Sequence, residues 1–196
     1  MQPSCRIRRR HEKVARAMEL LFQSNLDEHY PALAHHYHRS GNLEKAIEYH
    51  YLAGAQAAER SANHEAVQLF ETALEMAVRL PESYDRDQQE IKIQLASAAP
   101  LLALQGLASP RAEIAYARVS ELCRKTGKTE ALFSAALGLH IVYLQQAKLA
   151  ATHEVVSQLL QAAQHHQDPT QLMQAHLVAG ISAFFSGELR GAHEHC

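Results

Sequence analysis

The stretch YPALAHHYHRSGNLEKAIEYHYLA, residues 30–53, decides how this chain reads. Its large and small apolar residues recur at helical spacing, with Tyr30, Leu33, Ala34 and Tyr37 on one segment and Ala46 and Ala53 on the next. Between the two segments lies Ser40-Gly41-Asn42. Gly41 can end a helix by taking a left-handed conformation, and the Asn42 side chain can cap the helix that follows. Large residues beside a small one, a tight turn, and small residues on the returning helix allow two backbones to approach closely, as antiparallel helix pairs require.

The same grammar continues in both directions. In Asn63–Leu80 the residues Ala66, Leu69, Phe70, Ala73, Leu74 and Ala77 alternate steps of three and four. Asn63 reads as a cap, and Ser109-Pro110 and Asp168-Pro169 each set a cap residue before Pro at a first helical position. Gly127 and Gly187 read as helix terminators, with Thr129 capping the helix after Gly127. These signals predict helices near 9–24, 27–39, 43–60, 63–80, 86–106, 110–126, 130–146, 148–166 and 170–186, and a tenth beginning near Glu188. Pro100 removes a hydrogen bond inside the fifth and should kink it. No segment alternates with period two over a useful length, so the expected class is all-α.

Leu137-Gly138 and Ala179-Gly180 recur 42 residues apart, and the later pair is followed by Gly187 and Ala192. A small residue beside a larger one, a hairpin turn and a small residue after it, repeated, is the pattern of stacked helical pairs. It resembles the tetratricopeptide repeat, with Tyr30 in the place usually held by Trp and Pro81 as the closing Pro. His50 and Thr152 depart from the aromatic and Ala usual at their places. The resemblance implies a tetratricopeptide-like α-solenoid of antiparallel helix pairs wound as a right-handed superhelix. Residues 29–66, 95–123 and 182–195 are similar to the repeat region of large bacterial signalling proteins. Those proteins join a nucleotide-cyclase-like or kinase-like part and an AAA-type ATPase to C-terminal tetratricopeptide repeats. This implies a non-enzymatic scaffold that binds a protein or peptide, including ATPase or cyclase domains of a longer parent chain. None of the family's catalytic parts is present, so no catalytic residue is carried over. On this reading residues 1–8 are a disordered basic segment, and residues 9–196 are the repeat domain, cut inside its last helix.

Charge is unevenly placed. Residues 1–16 hold Arg6, Arg8, Arg9, Arg10, Lys13 and Arg16 against Glu12 alone, a balance of +5, while the chain as a whole carries −2. An acidic body is a poor general polyanion binder, so a nucleic-acid partner is not the first expectation. The alternative is a repeat-containing transcriptional regulator whose basic head contacts nucleic acid. The 196 residues are 47% hydrophobic, too apolar for a disordered tail, and only 8 Gly and 6 Pro make them unlike a linker. Cys5, Cys123 and Cys196 stand far apart, against a disulfide framework or a zinc ribbon. No apolar stretch follows the basic start, and no window reaches the roughly 18 apolar residues of a membrane span. The expectation is a cytoplasmic protein with no membrane partner.

Several constellations imitate chemistry. Gly127-Lys128-Thr129 matches the tail of a phosphate-binding loop, but Leu122 stands where its first Gly belongs and an amphipathic helix precedes it in place of a strand. The 14 histidines include His35, His36 and His38, yet no spacing closes a ligand set, so neither metal nor cofactor is expected. Cys123 falls on an amphipathic helix as a small apolar residue, and no Gly-x-Ser-x-Gly elbow exists.

What remains is a binding groove lined by the first helix of each pair. Counting from Leu33 the candidates are His35, His38 and Arg39. From Leu137 they are Leu139 and Tyr143, and from Ala179 they are Ile181, Phe184 and Phe185. Adjacent residues on a helix cannot face one cleft, so one of the two phenylalanines is a contact or awaits a further repeat, and an uncapped end of that kind invites self-association.

Overall fold

The computed structural model describes residues 5–127, 129–166 and 168–195. Among the described residues the chain is helix and turn with no strand. In order the helices are α1 (Cys5–Leu21), α2 (Tyr30–Ser40), α3 (Leu43–Glu59), α4 (Asn63–Ala77), α5 (Tyr84–Gln105), α6 (Pro110–Thr126), α7 (Thr129–Gln145), α8 (Leu149–His166), α9 (Pro169–Phe185) and α10 (Leu189–Glu194), with a short 3₁₀ turn over Leu26–His29. They fall into two compact units, residues 1–100 and 101–196, where the sequence reading drew one domain. The division lies at Pro100, inside α5, and the helix runs through it.

Several expected helix ends are found. The Asn42 side chain accepts from the Lys45 N–H at 3.2 Å, Ser109 from Ala112 at 3.2 Å, and Asp168 from Thr170 at 2.9 Å. Gly41 closes α2 at φ 85°, and Gly127 closes α6 at φ 75°. Asn63 is not a cap; it is the first residue of α4, behind Ala62. The expected cap Thr129 opens α7, and its side chain and Lys128 lie outside the described residues. α1 begins at Cys5, so Cys5–Arg8 are helical where disorder was expected. The reason is tertiary: Ala15 is fully buried, and α1 packs along α2 through the face it shares with Arg8, His11 and Glu12.

Three turns share one backbone device. Ser61 (φ 58°), Ala147 (φ 56°) and Gly187 (φ 79°) are left-handed, and the next residue's N–H reaches back five positions: Ala62 to Ala57, Lys148 to Tyr143 and Glu188 to Ala183. This satisfies carbonyls that the helix end leaves open.

In the first unit, small residues let the helices close on large ones. Ala46, Ala57, Ala66 and Ala73 surround Leu33, Tyr37, Ile47 and Phe70, all nearly inaccessible. A Cβ on Gly54 would sit 2.8 Å from the Phe70 ring. In the second unit Phe133, Leu139, Val155, Leu159 and Ala175 form the core, and a Cβ on Gly138 would overlap the Tyr116 ring. His50 and Thr152, the two departures noted above, are buried because each bonds its own helix: His50 Nδ1 to the Ala46 carbonyl at 2.7 Å, and Thr152 Oγ1 to that of Lys148 at 3.0 Å. Cys123 is buried as a small apolar residue.

Candidate partner-binding surfaces

The eight groove candidates divide between the units. In the first, α2 presents His35, His38 and Arg39 to solvent. His36, one residue on from His35, turns back toward α1, and its Nδ1 lies 2.9 Å from Nδ1 of His11. One N–H···N bond at that separation needs one ring to donate and the other to accept, so the pair resists double protonation. Burial first, then Arg39 and His35, lowers the His11 pKa; burial, then His11 and His35, lowers that of His36. His38 stands edge-on to the buried His50, with ring centroids 5.6 Å apart. No group of three or more His, Cys, Asp or Glu among the described residues is arranged to hold a metal ion.

Sequence spacing missed a second node in this unit. Glu19 of α1 accepts hydrogen bonds from the hydroxyls of Tyr37 (α2) and Tyr49 (α3), both at 2.6 Å, and Lys45 Nζ lies 3.4 Å away. The two phenol rings are stacked, with planes 3° apart. Burial alone would raise the Glu19 pKa, but the bonds from Tyr37, Tyr49 and Lys45 overcome it and hold the carboxyl below its ordinary value. The same carboxylate, together with burial, pushes both phenols far up. A groove of about 800 Å³ lies nearby, lined by Glu44, Lys45, Glu48, Leu80, Arg86 and Gln89 among others.

In the second unit Leu139 is a correction. It is 7% exposed and packs in the core with Phe133 and Leu159, because the helical count from Leu137 carries it to the side that meets α8. Tyr143 is half-buried under the Lys148 ammonium, 5.3 Å from its ring, and Lys148 bonds Glu113 at 2.8 Å. This edge is occupied by intramolecular contacts.

The other three candidates lie together. Ile181, Phe184 and Phe185 are exposed, the phenylalanines by 61% and 63%, with rings edge-to-face at 5.7 Å. Met173, Leu177 and Leu189 complete the wall of a groove of about 810 Å³ between α9 and α10. Both phenylalanines face water, where the sequence reading expected one. Helix α7, forty residues earlier, leaves part of the matching face open as well, with Ile141 41% exposed where Ile181 is 36% exposed. Phe133, forty residues before Met173, is 6% exposed where Met173 is 64% exposed. α9 packs on α8 and touches α7, where His140 Nε2 meets Ser182 Oγ at 2.8 Å. At the groove's edge His176 and His195 approach at 2.9 Å.

The catalytic imitations stay apart. Gly127 is a helix cap, and Lys128 of the phosphate-loop imitation lies outside the described residues. Cys5 is exposed and Cys123 buried, and Cys196 lies outside the described residues.

No family model matches this chain, and no curated protein matches it. Among solved structures it is similar to the crystal structure of BtubC (BKLC) from P. vanneervenii, with a TM-score of 0.67 and 15% identity over 97% of this chain and 87% of that one. At that identity the likeness is one of fold, and it places the chain among all-α proteins of consecutively packed helices.

Proposed function

We propose that this chain is a tetratricopeptide-type repeat scaffold that binds a protein partner without catalysing a reaction. In this reading it is the regulatory repeat portion of a bacterial ATPase- or cyclase-linked signalling protein. Helices α6, α7, α8 and α9, of 17 or 18 residues each, and the left-handed turns at Gly41, Ser61, Gly127, Ala147 and Gly187 support the repeat architecture, as does the contact of α7 with α9. The observation that carries the binding role is the α9–α10 groove: five large apolar side chains and Ile181 open to water around one cleft. Exposed apolar residues clustered in this way mark interaction sites, and a cleft walled by two helices suits the apolar face of a third. The same face supports self-association.

The test is selection of random helical peptides displayed on phage against the full chain, with Phe184→Asp/Phe185→Asp as counter-target. The expected winners carry apolar residues at i, i+3, i+4 and i+7 and lose at least about tenfold in affinity on the variant, since a charge in an apolar pocket goes unpaired. Winners without that spacing, or binding equally to both proteins, overturn the reading.

A second reading, nucleic-acid contact through the basic head, draws on one observation: Arg6, Arg9, Arg10 and Lys13 are all exposed on the folded α1. It requires duplex binding with a steep salt dependence.

A further inference from the structure

Helix α1 separates its charges by face. Its two acids, Glu12 and Glu19, are turned inward. Glu12 accepts from Asn42 at 3.2 Å and also pairs with Arg16 of its own helix at 3.0 Å, and Glu19 accepts from the two tyrosines. Around the half opposite Ala15, Arg6, Arg9, Arg10, Lys13 and Arg16 are exposed. Beside these cations runs an apolar row: Ile7 and Val14, each 42% exposed, and Leu21, 76% exposed, spaced seven residues apart and so nearly in line along the helix. Leu20, 71% exposed, lies among the cations. On the row's other flank stands His11, whose ring is 6.0 Å from that of the exposed His35 of α2, with the exposed Arg39 near enough to act on it. The result is an apolar ridge with the cations of α1 on one side and, beyond His11, Arg39 of α2 on the other, presented by a helix about 25 Å long.

We propose that α1 docks lengthwise on an anionic lipid surface, with Ile7, Val14 and Leu21 entering the headgroup–acyl boundary and the flanking arginines and Lys13 meeting lipid phosphates and carboxylates. Basic amphipathic helices bind membranes by this combination of apolar burial and attraction to anionic headgroups. A nucleic acid fits the face less well. Phosphate contacts would use the cations and leave the apolar ridge in water. From sequence, membrane contact by the basic start ranks below a solvated helix start because no aromatic residue lies among its charges, and no helix among the described residues is long and apolar enough to cross a membrane. Lying on a surface requires no span.

The experiment is co-sedimentation of the full chain with phosphatidylcholine vesicles and with vesicles containing about 30 mol% phosphatidylserine, against a duplex DNA control. Expected are binding to the anionic vesicles alone, weakening by at least roughly fivefold for each cation reversed in Arg6→Glu/Arg10→Glu/Lys13→Glu, and at least a tenfold loss in Ile7→Ser/Val14→Ser/Leu21→Ser. The chain has no Trp, so Val14→Trp supplies a single fluorophore whose emission should shift to the blue on anionic vesicles. Equal binding to both vesicle types, binding to neither, undiminished binding by the serine variant, an unshifted Trp, or tighter binding of the duplex than of the anionic vesicles each overturns the proposal.

Discussion

Glu19 shows how much one carboxylate can join. It sits on α1 and receives the hydroxyls of Tyr37 and Tyr49 from two other helices, so its removal leaves two partly desolvated phenols without an acceptor. Glu19→Ala should cost about 1–3 kcal/mol in chemical denaturation, and Glu19→Gln, which keeps an oxygen, should cost less. The sign with pH follows from its depressed pKa. The contribution is complete above the unfolded carboxyl value near 4.5 and is lost as pH falls through the lower folded value. Equal stability of Glu19→Ala and the parent at neutral pH would contradict this account. None of it could be read from spacing, because residues 19, 37 and 49 meet only after three helices have packed.

At the scale of elements, the turns separate what was legible from what was not. Gly41, Gly127 and Gly187 announce left-handed turns, since glycine alone adopts them without a Cβ penalty. Ser61 and Ala147 adopt the same conformation with no such signal, held there by backbone bonds from Ala62 to Ala57 and from Lys148 to Tyr143. The left-handed strain at Ala147 costs about 1–2 kcal/mol, partly offset because glycine gains freedom in the unfolded chain. Ala147→Gly should therefore stabilise the protein by about 0.5–1 kcal/mol, whereas a glycine introduced at a helix-interior position normally destabilises. A lower denaturation midpoint for Ala147→Gly would show that the turn is not strained. Helix starts were legible where a cap residue precedes Pro, as at Ser109 and Asp168, because capping is local chemistry.

For the molecule as a whole, histidine protonation is the broadest lever. His50 and His140 are buried, and burial lowers both pKa values, opposed in part by the Ala46 carbonyl in one case and the Val178 carbonyl in the other. His11 and His36 are lowered as well. A histidine kept neutral by the fold takes up its proton more readily unfolded, so the unfolded chain binds more protons as pH falls below about 6.5. Thermal stability should be full above that value and decline as pH falls below it toward the lowered folded values. His140→Gln should flatten part of the decline. A melting temperature constant over this window would refute the argument.

The sequence by itself determined the class, the order of the helices and most of their limits, because periodicity, caps and glycine turns act over four residues or fewer. One exposed phenylalanine of the pair Phe184 and Phe185 was legible for the same reason, as adjacent large residues on one helix, but that both face water was not. Tertiary structure alone decided which face of each helix is covered. It buried Leu139 against α8, paired His11 with His36, collected Glu19 with two tyrosines, and ordered the basic start as a helix with its acids inside and its cations out. Those outcomes depend on which neighbour each helix meets, and the helical period records an apolar stripe without recording what lies against it.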